Sequence, residues 1–429
     1  MDILDKVPDE VWQQILSNFV CDRETLRAVV DAKFPASPQA LRLYWRNDVC
    51  DKDLLEELED EPESEQQDLA NMVRNVITQF KGPYAHHEAR GLQFPRLQIL
   101  KIEHGKAQLR GETRTFVRVG RFVGPRLRQL EIGVSLLEGG SHLVPTVDSF
   151  LQKLSVCKDL RDLKLYARVK KATAEDLVFV LQRCNKIQTL HLGGIVDDLI
   201  NESVMGCIAL HPTVGELVLE KHFDRPLASS IAAVAQPFQK LKHLVLSAHA
   251  DAINILLPRM KQLERLELAV YGTTSVFPSL RGLKNSSSIW LKFHNYTLTN
   301  DDVSHLVPLK QLAYIELCET NDAELLDATL IDANLFAAVL GTLPALVSLD
   351  LNATNTLGDP FPLALGHQCR NLRYLALTSN FTLEPLATEP SVLFPHLLSL
   401  ELGSFTPSVP IRQWGGFESS GLISALRMF

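Results

Sequence analysis

The apolar positions of this chain fall into one phrase written many times over. They recur as L-x-x-L-x-L, with isoleucine, valine or one small polar residue accepted at the outer position, in twelve copies between residues 97 and 402. The central apolar residues are Leu100, Leu130, Leu163, Leu190, Leu217, Leu244, Leu266, Ile289, Ile315, Leu349, Leu375 and Leu400. Successive centres lie 22 to 34 residues apart. Inside each phrase the apolar residues alternate, which is the period of a strand. Pairs such as Leu375 and Leu377 therefore point to one side of a sheet. Three residues before each phrase stands a further apolar column: Phe94, Cys157, Cys184, Phe238, Met260, Leu283, Leu309, Leu343, Cys369 and Phe394, with Gly124 and His211 as its two exceptions. This column is placed to pack where the preceding helix ends, and cysteine, small and at ease when buried, suits it.

Between phrases the period changes from two to 3.6. In "TAEDLVFVLQRC", Thr173 and Asp176 are spaced for a capping box, and Leu177, Val180, Leu181 and Cys184 follow at helical spacing. "NDDVSHLVPLKQL" and "DANLFAAVLGTL" read as helices in the same way, and "DAINILLPRM" does so until Pro258 stops it. Strand–helix units of about 27 residues define an α/β leucine-rich-repeat solenoid of about 12 repeats over residues 93–429, with a parallel sheet on its concave face. Asn380 fits the turn asparagine of the fuller phrase L-x-x-L-x-L-x-x-N. His249, Tyr271, Thr320 and Thr354 occupy that slot elsewhere.

Residues 1–50 do not share the repeat. Pro8 stands at a helix start, where its missing N–H costs nothing. Val11, Ile15 and Phe19 then recur every four residues, with Trp12 and Leu16 alongside. A second helix carries Leu26, Val29, Val30 and Phe34, and a third carries Leu41, Tyr44, Trp45 and Val49. Three short helices bury too little to stand alone, so the unit wants a partner or the adjacent solenoid.

The stretches "VPDEVWQQILSNF", "LRAVVDAKF" and "ALRLYWRNDV" resemble the F-box of fungal F-box proteins, whose pattern opens Leu-Pro-x-Glu-(Leu/Ile/Val), continues to an Ile-Leu pair and ends near a Leu-Tyr-aromatic stretch. Val7 stands where the family has Leu, and Asp31 where it has Ser. An F-box followed by cysteine-bearing leucine-rich repeats is a known combination, and the whole chain is similar to it. The resemblance implies a non-catalytic substrate-recognition subunit of an SCF-type ubiquitin ligase. By position, Pro8, Trp12, Ile15, Leu16, Leu26 and Val29 would contact the adaptor subunit of that cullin–RING ligase. The other reading is a helical cap over the first repeat, which leaves an interaction scaffold with no ubiquitin-ligase role.

Residues 51–65 hold nine acids and one lysine, the composition of a solvated linker. "LANMVRNVITQF", with Met72, Val76 and Phe80 in a stripe, reads as a helix, so that 51–92 forms an acidic linker and a connecting helix.

Charge and chemistry narrow the function. The formal net charge of −8 gives a nucleic-acid partner no overall electrostatic support. No apolar run reaches 18 residues, so no membrane-spanning helix is expected. The first residues lack the basic and apolar regions of a secretory signal, and seven irregularly spaced cysteines suit reduced thiols, which points to the cytoplasm or nucleus. Phosphate-loop, dinucleotide, nucleophile-elbow, H-E-x-x-H and C-x-x-C patterns are absent, so neither catalysis nor a metal or cofactor is indicated. "HHE" at His86–Glu88 reads as a loop.

The residues alternating with the leucines face out of the core. Their central column runs Lys101, Glu131, Lys164, His191, Val218, Val245, Glu267, Trp290, Glu316, Asp350, Ala376 and Glu401, flanked by Arg265, Tyr314 and Tyr374. The second half is acidic with interspersed aromatics. An outward tryptophan is either covered by a neighbouring loop or used for binding. In the second case Trp290, Tyr314 and Tyr374 stack on a protein target, and Glu267, Glu316, Asp350 and Glu401 favour a basic segment of it.

Overall fold

The computed structural model describes residues 7–19, 22–33, 36–46, 54–80, 92–104, 122–133, 150–166, 172–193, 199–320, 325–354, 357–358, 360–381, 389, 391–405 and 426–428. Two compact units divide the chain, residues 1–207 with 211–214 and residues 208–210 with 215–429.

In the first unit, helices α1 (Asp9–Ser17), α2 (Arg23–Asp31), α3 (Ser37–Arg46), α4 (Leu54–Asp60) and α5 (Glu63–Ala70) precede strands β1 (Asn75–Phe80), β2 (Ile99–His104) and β3 (Gln129–Ile132). Helix α6 (Phe150–Leu154), β4 (Asp162–Leu165), α7 (Ala174–Arg183) and β5 (Thr189–Leu192) follow, and the unit boundary falls within α8 (Glu202–Ala209). The strands pair in parallel in sequence order. Thr173 and Asp176 form the expected capping box on α7.

In the second unit come β6 (Glu216–Phe223), α9 (Arg225–Ala232), β7 (His243–His249), α10 (Ala250–Leu256), β8 (Arg265–Tyr271), α11 (Phe277–Leu280), β9 (Ser288–His294), β10 (Thr297–Thr299) and α12 (Asn300–Ser304). Then follow β11 (Tyr314–Glu319), β12 (Asp327–Leu330), α13 (Ala333–Gly341), β13 (Ser348–Leu351), α14 (Pro360–Gln368), β14 (Tyr374–Phe381), β15 (Ser399–Phe405) and β16 (Leu426–Met428). The main sheet runs β6-β7-β8-β9-β11-β13-β14-β15-β16, while β10 and β12 pair separately. After α10 the chain tightens into a 3-10 turn at Leu257–Arg259, where Pro258 cannot continue the α-helix.

All twelve phrases form strands, and their central residues are 0–6% exposed. Register carries each column straight across the sheet: Leu244, Leu266, Ile289, Ile315, Leu349, Leu375 and Leu400 are successive partners. A buried leucine contributes roughly 1.5–3 kcal/mol, so the shared column dominates the stability of the stack. Ser286, the polar residue in an outer leucine position, is fully buried and donates its hydroxyl to the carbonyl of Leu263 at 2.9 Å. The thiols of Cys157 and Cys184 donate to the carbonyls of Gly124 and Leu154 in the preceding repeat.

Two expectations are overturned. The acidic run 51–65 is not a linker through its described part: Leu54, Leu55 and Leu58 on α4 are at most 1% exposed. The composition hid three leucines at helical spacing. "LANMVRNVITQF" is not one helix either. Helix α5 ends at Ala70, and residues 75–80 form β1, paired with β2 through Val76 and Leu100. Val73 and Val76 are fully buried and stand where the phrase places its first and central leucines. The i, i+4 stripe of Met72, Val76 and Phe80 imitated a helix because strand and helix periods coincide every four residues. His86–Glu88 and the side chain of Asn380 lie outside the described residues.

Candidate functional site

Two surfaces hold the residues singled out by sequence. On the helical segment, α1 starts after Pro8 and packs on α3. Its helical period sends Leu16 inward, at 3% exposed, and leaves Val11 and Ile15 outward at 42 and 41%; Phe19, in the turn after the helix, is 39% exposed. Pro8 is exposed, Trp12 and Val29 are half-buried, and Leu26 is fully buried. Leu16 and Leu26 are thus core residues of the segment. Val11 and Phe19 complete the exposed stripe, a signal already present in their four-residue recurrence.

A charged cluster ties this segment to the acidic helix. Glu57 on α4 accepts from Arg23 Nη2 at 2.8 Å and from the hydroxyl of Tyr44, while the Arg23 guanidinium lies 4.1 Å from the centre of the Tyr44 ring. Burial, with the Glu57 hydrogen bond behind it, pushes the Tyr44 hydroxyl up to about 12. Arg27 pairs with Glu61 at 3.1 Å. The carbonyl of Arg46, which closes α3, accepts from the N–H of Arg74 just before β1. Later strands are joined in the same way, Ile99 to Arg74 and Gln129 to Gln98, so the helical segment supplies the first rung of the ladder.

The second surface is the open face of the second unit's sheet. Register sets Glu267, Trp290, Glu316, Asp350, Ala376 and Glu401 side by side across β8, β9, β11, β13, β14 and β15. In the neighbouring row, Tyr314, Ser348 and Tyr374 are partners. Trp290, Tyr314 and Tyr374 are 39, 47 and 46% exposed, and no described loop covers them. Glu267 faces His243 Nε2 at 3.6 Å. Burial, together with the carboxylates of Glu316 and Glu401, pushes the Asp350 carboxyl up to about 6. In the first unit the corresponding row is self-compensating: Glu131 lies 3.9 and 4.0 Å from the ammonium groups of Lys101 and Lys164.

Sequence reasoning missed a ring cluster at the C-terminal ends of β6, β7, β8 and β9. His222 packs edge-on against His249 and Tyr271, with ring centres 4.4 and 4.7 Å apart, and Tyr271 continues to His294 at 5.4 Å. Burial and the neighbouring His249 hold the His222 imidazole below its ordinary value. It also missed a cavity of 560 Å³ in the first unit, lined by Arg42, Arg46, Arg74 and Arg96 with Asp68. The buried Asp302 has a structural role, accepting from Tyr296, Thr299 and Ser275 at the start of α12. Among the described residues no group of three or more histidines, cysteines or carboxylates could hold a metal ion, and no helix is long and apolar enough to cross a membrane.

Strand–helix repeats, a parallel sheet and one open sheet face define the leucine-rich-repeat fold. No family model and no curated protein matches the chain. Among solved structures it is similar to the TLR13 chain of a TLR13–ssRNA13 complex, at 15% identity and a TM-score of 0.45 over 85% of this chain. The chain spans 50% of the length of that chain. It is similar to the internalin inlF of Listeria monocytogenes at 14% identity and TM-score 0.39, covering 75% of this chain and 86% of that one. A leucine-rich-repeat protein of Leptospira interrogans gives 14% identity and TM-score 0.43, covering 86% and 92%.

Proposed function

We propose that this protein is a non-catalytic substrate-recognition subunit of an SCF-type ubiquitin ligase, binding the adaptor through residues 1–50 and a protein target on the open sheet face. The observation that carries the adaptor half is the set of Val11 and Ile15 on α1 and Phe19 in the turn just past its end, three large apolar side chains about 40% exposed. An apolar stripe on a short helix is a partner surface. For the target half, three exposed aromatics beside four carboxylates favour a basic segment.

The test is co-expression with a fungal adaptor subunit and size-exclusion chromatography, beside a Val11→Asp/Ile15→Asp/Phe19→Asp variant. A complex formed by the native chain and lost in the folded variant supports the reading, and no complex with either protein sinks it. Leu16 and Leu26 are unsuitable for this test, because substituting them opens the segment's own core.

A second reading, a leucine-rich-repeat interaction scaffold with no ubiquitin-ligase role, draws on the Arg46–Arg74 hydrogen bond. That contact makes the helical segment the first cover of the sheet edge. Under this reading the native chain forms no adaptor complex at any concentration, and the native chain and the triple variant bind a target on the sheet face equally.

A further inference from the structure

The inference here rests on the assignment of the open face to a basic target segment and specifies how that segment is held. Across β9, β11, β13, β14 and β15 the outer row reads Ser288, Tyr314, Ser348, Tyr374 and Ser399, all in register. Tyrosine alternates with serine. Neighbouring strands lie about 4.8 Å apart, so the backbones carrying Tyr314 and Tyr374 stand about 9.6 Å apart with one strand between them. That strand offers only the hydroxymethyl group of Ser348 to the gap, which is too small to fill it. Both tyrosines are nearly half exposed, and neither ring nor hydroxyl has a partner among the described residues. Two residues further along β13, on the same face, stands Asp350, with Glu316 beside it and Glu401 two strands away. Register thus sets out a slot between two tyrosine-bearing strands, with a serine between them and carboxylates at one end.

We propose that this slot seats an arginine side chain of the bound target, its guanidinium stacked between the rings of Tyr314 and Tyr374 and paired with Asp350. Two ring faces on either side favour a cation. A flat guanidinium stacks at about 3.5 Å on each ring, a total of about 7 Å, which the two rings reach by leaning slightly inward. An ammonium group has no plane to stack and is more strongly hydrated. A neutral side chain would cover the carboxylates without compensating them, which is unfavourable. Asp350 carries the mark of that missing compensation, since burial and its acidic neighbours raise its carboxyl. Among the described residues, the arginine of the same row, Arg265 on β8, lies beyond Ser288 on the far side of Tyr314 and so outside the slot.

The experiment uses the full chain and a fluorescein-labelled Gly-Ser peptide carrying spaced arginines, followed by anisotropy at low salt. Matched peptides carry lysine, or citrulline as the neutral isostere. The arginine peptide is expected to bind, the lysine peptide more weakly and the citrulline peptide not at all. Tyr314→Ala and Tyr374→Ala are each expected to weaken binding by about threefold to thirtyfold, the range of a partly desolvated cation–π contact, while Tyr374→Phe stays within about twofold of the native chain. Thermal melts confirm that each variant is folded. Equal binding of arginine and lysine peptides, or unchanged binding by folded Tyr374→Ala, overturns the arginine seat and leaves the preference for basic segments standing. Binding of neither basic peptide overturns both. Adaptor complex formation is read separately and moves with neither result.

Discussion

His211 donates its Nε2 hydrogen to the backbone carbonyl of Cys184, 3.2 Å away in the preceding repeat. The two residues hold the same column position, three before the first leucine of their phrases. At Cys157 and Cys184 a thiol donates to the carbonyl of the previous repeat, and at His211 an imidazole takes over that role. Burial holds this imidazole below its ordinary value, and the contact with a carbonyl, which can only accept, puts a proton on Nε2. His211→Ala removes one of the two hydrogen bonds accepted by the Cys184 carbonyl, the other coming from the Ile187 N–H, and should cost about 0.5–1.5 kcal/mol. His211→Gln, whose amide can donate from a similar place, should cost less. Urea unfolding of the three proteins checks this, and equal midpoints for Ala and Gln would remove the hydrogen bond from the account.

Asp350 sets a pH dependence of stability. Its carboxyl is raised to about 6, so folding disfavours the ionised form. Below the unfolded value of about 4 the group is protonated in both states and carries no cost. The cost grows as pH rises from about 4 and is complete above about 6. Asp350→Asn should therefore raise the melting temperature at pH 7.5 by the equivalent of about 1–2 kcal/mol and leave it unchanged at pH 4. A difference that persists at pH 4 would point to packing instead.

The buried thiols should be chemically silent. Burial pushes Cys157 and Cys369 up to about 12 and Cys184 to about 11. At pH 8 the native chain should resist iodoacetamide at these three positions and react at all of them once unfolded. Peptide mapping by mass spectrometry reads the outcome, and rapid native labelling of Cys184 would contradict the packing described here.

Glu57 joins the acidic helix to the helical segment through Arg23 and Tyr44. Glu57→Ala removes the acceptor of the Tyr44 hydroxyl and the ion-pair partner of Arg23 at this point, and should destabilise the segment by about 1–3 kcal/mol. Tyr44→Phe in the Glu57→Ala background should then cost little more, because the two share one interaction. A double-mutant cycle measured by denaturant unfolding tests the coupling, and additive losses would deny it.

Trp290→Ala with Glu316→Ala should weaken target capture while leaving the melting temperature within a few degrees, since both side chains face solvent. Comparing capture by the native and variant chains settles this. Undiminished capture would place the target elsewhere.

The repeat was written in the sequence because a strand buried on one face must alternate, and a stack must repeat the alternation at every turn. That rule alone located twelve strands, the inward leucines and the outward row from Glu267 to Glu401. It failed at β1, where Met72, Val76 and Phe80, four apart, satisfy both periods, and at α4, where the acidic run 51–65 masked three core leucines. Only tertiary structure could decide those cases, because burial depends on what packs against a residue and not on the residue alone. The same holds for the candidate surfaces. Composition marked Leu16, Leu26 and Ile15 alike as apolar, and helix packing turned the first two inward and the third outward. The sequence placed Tyr314 and Tyr374 sixty residues apart. Strand register set them on either side of Ser348, since hydrogen bonding between neighbouring strands fixes which distant residues become neighbours.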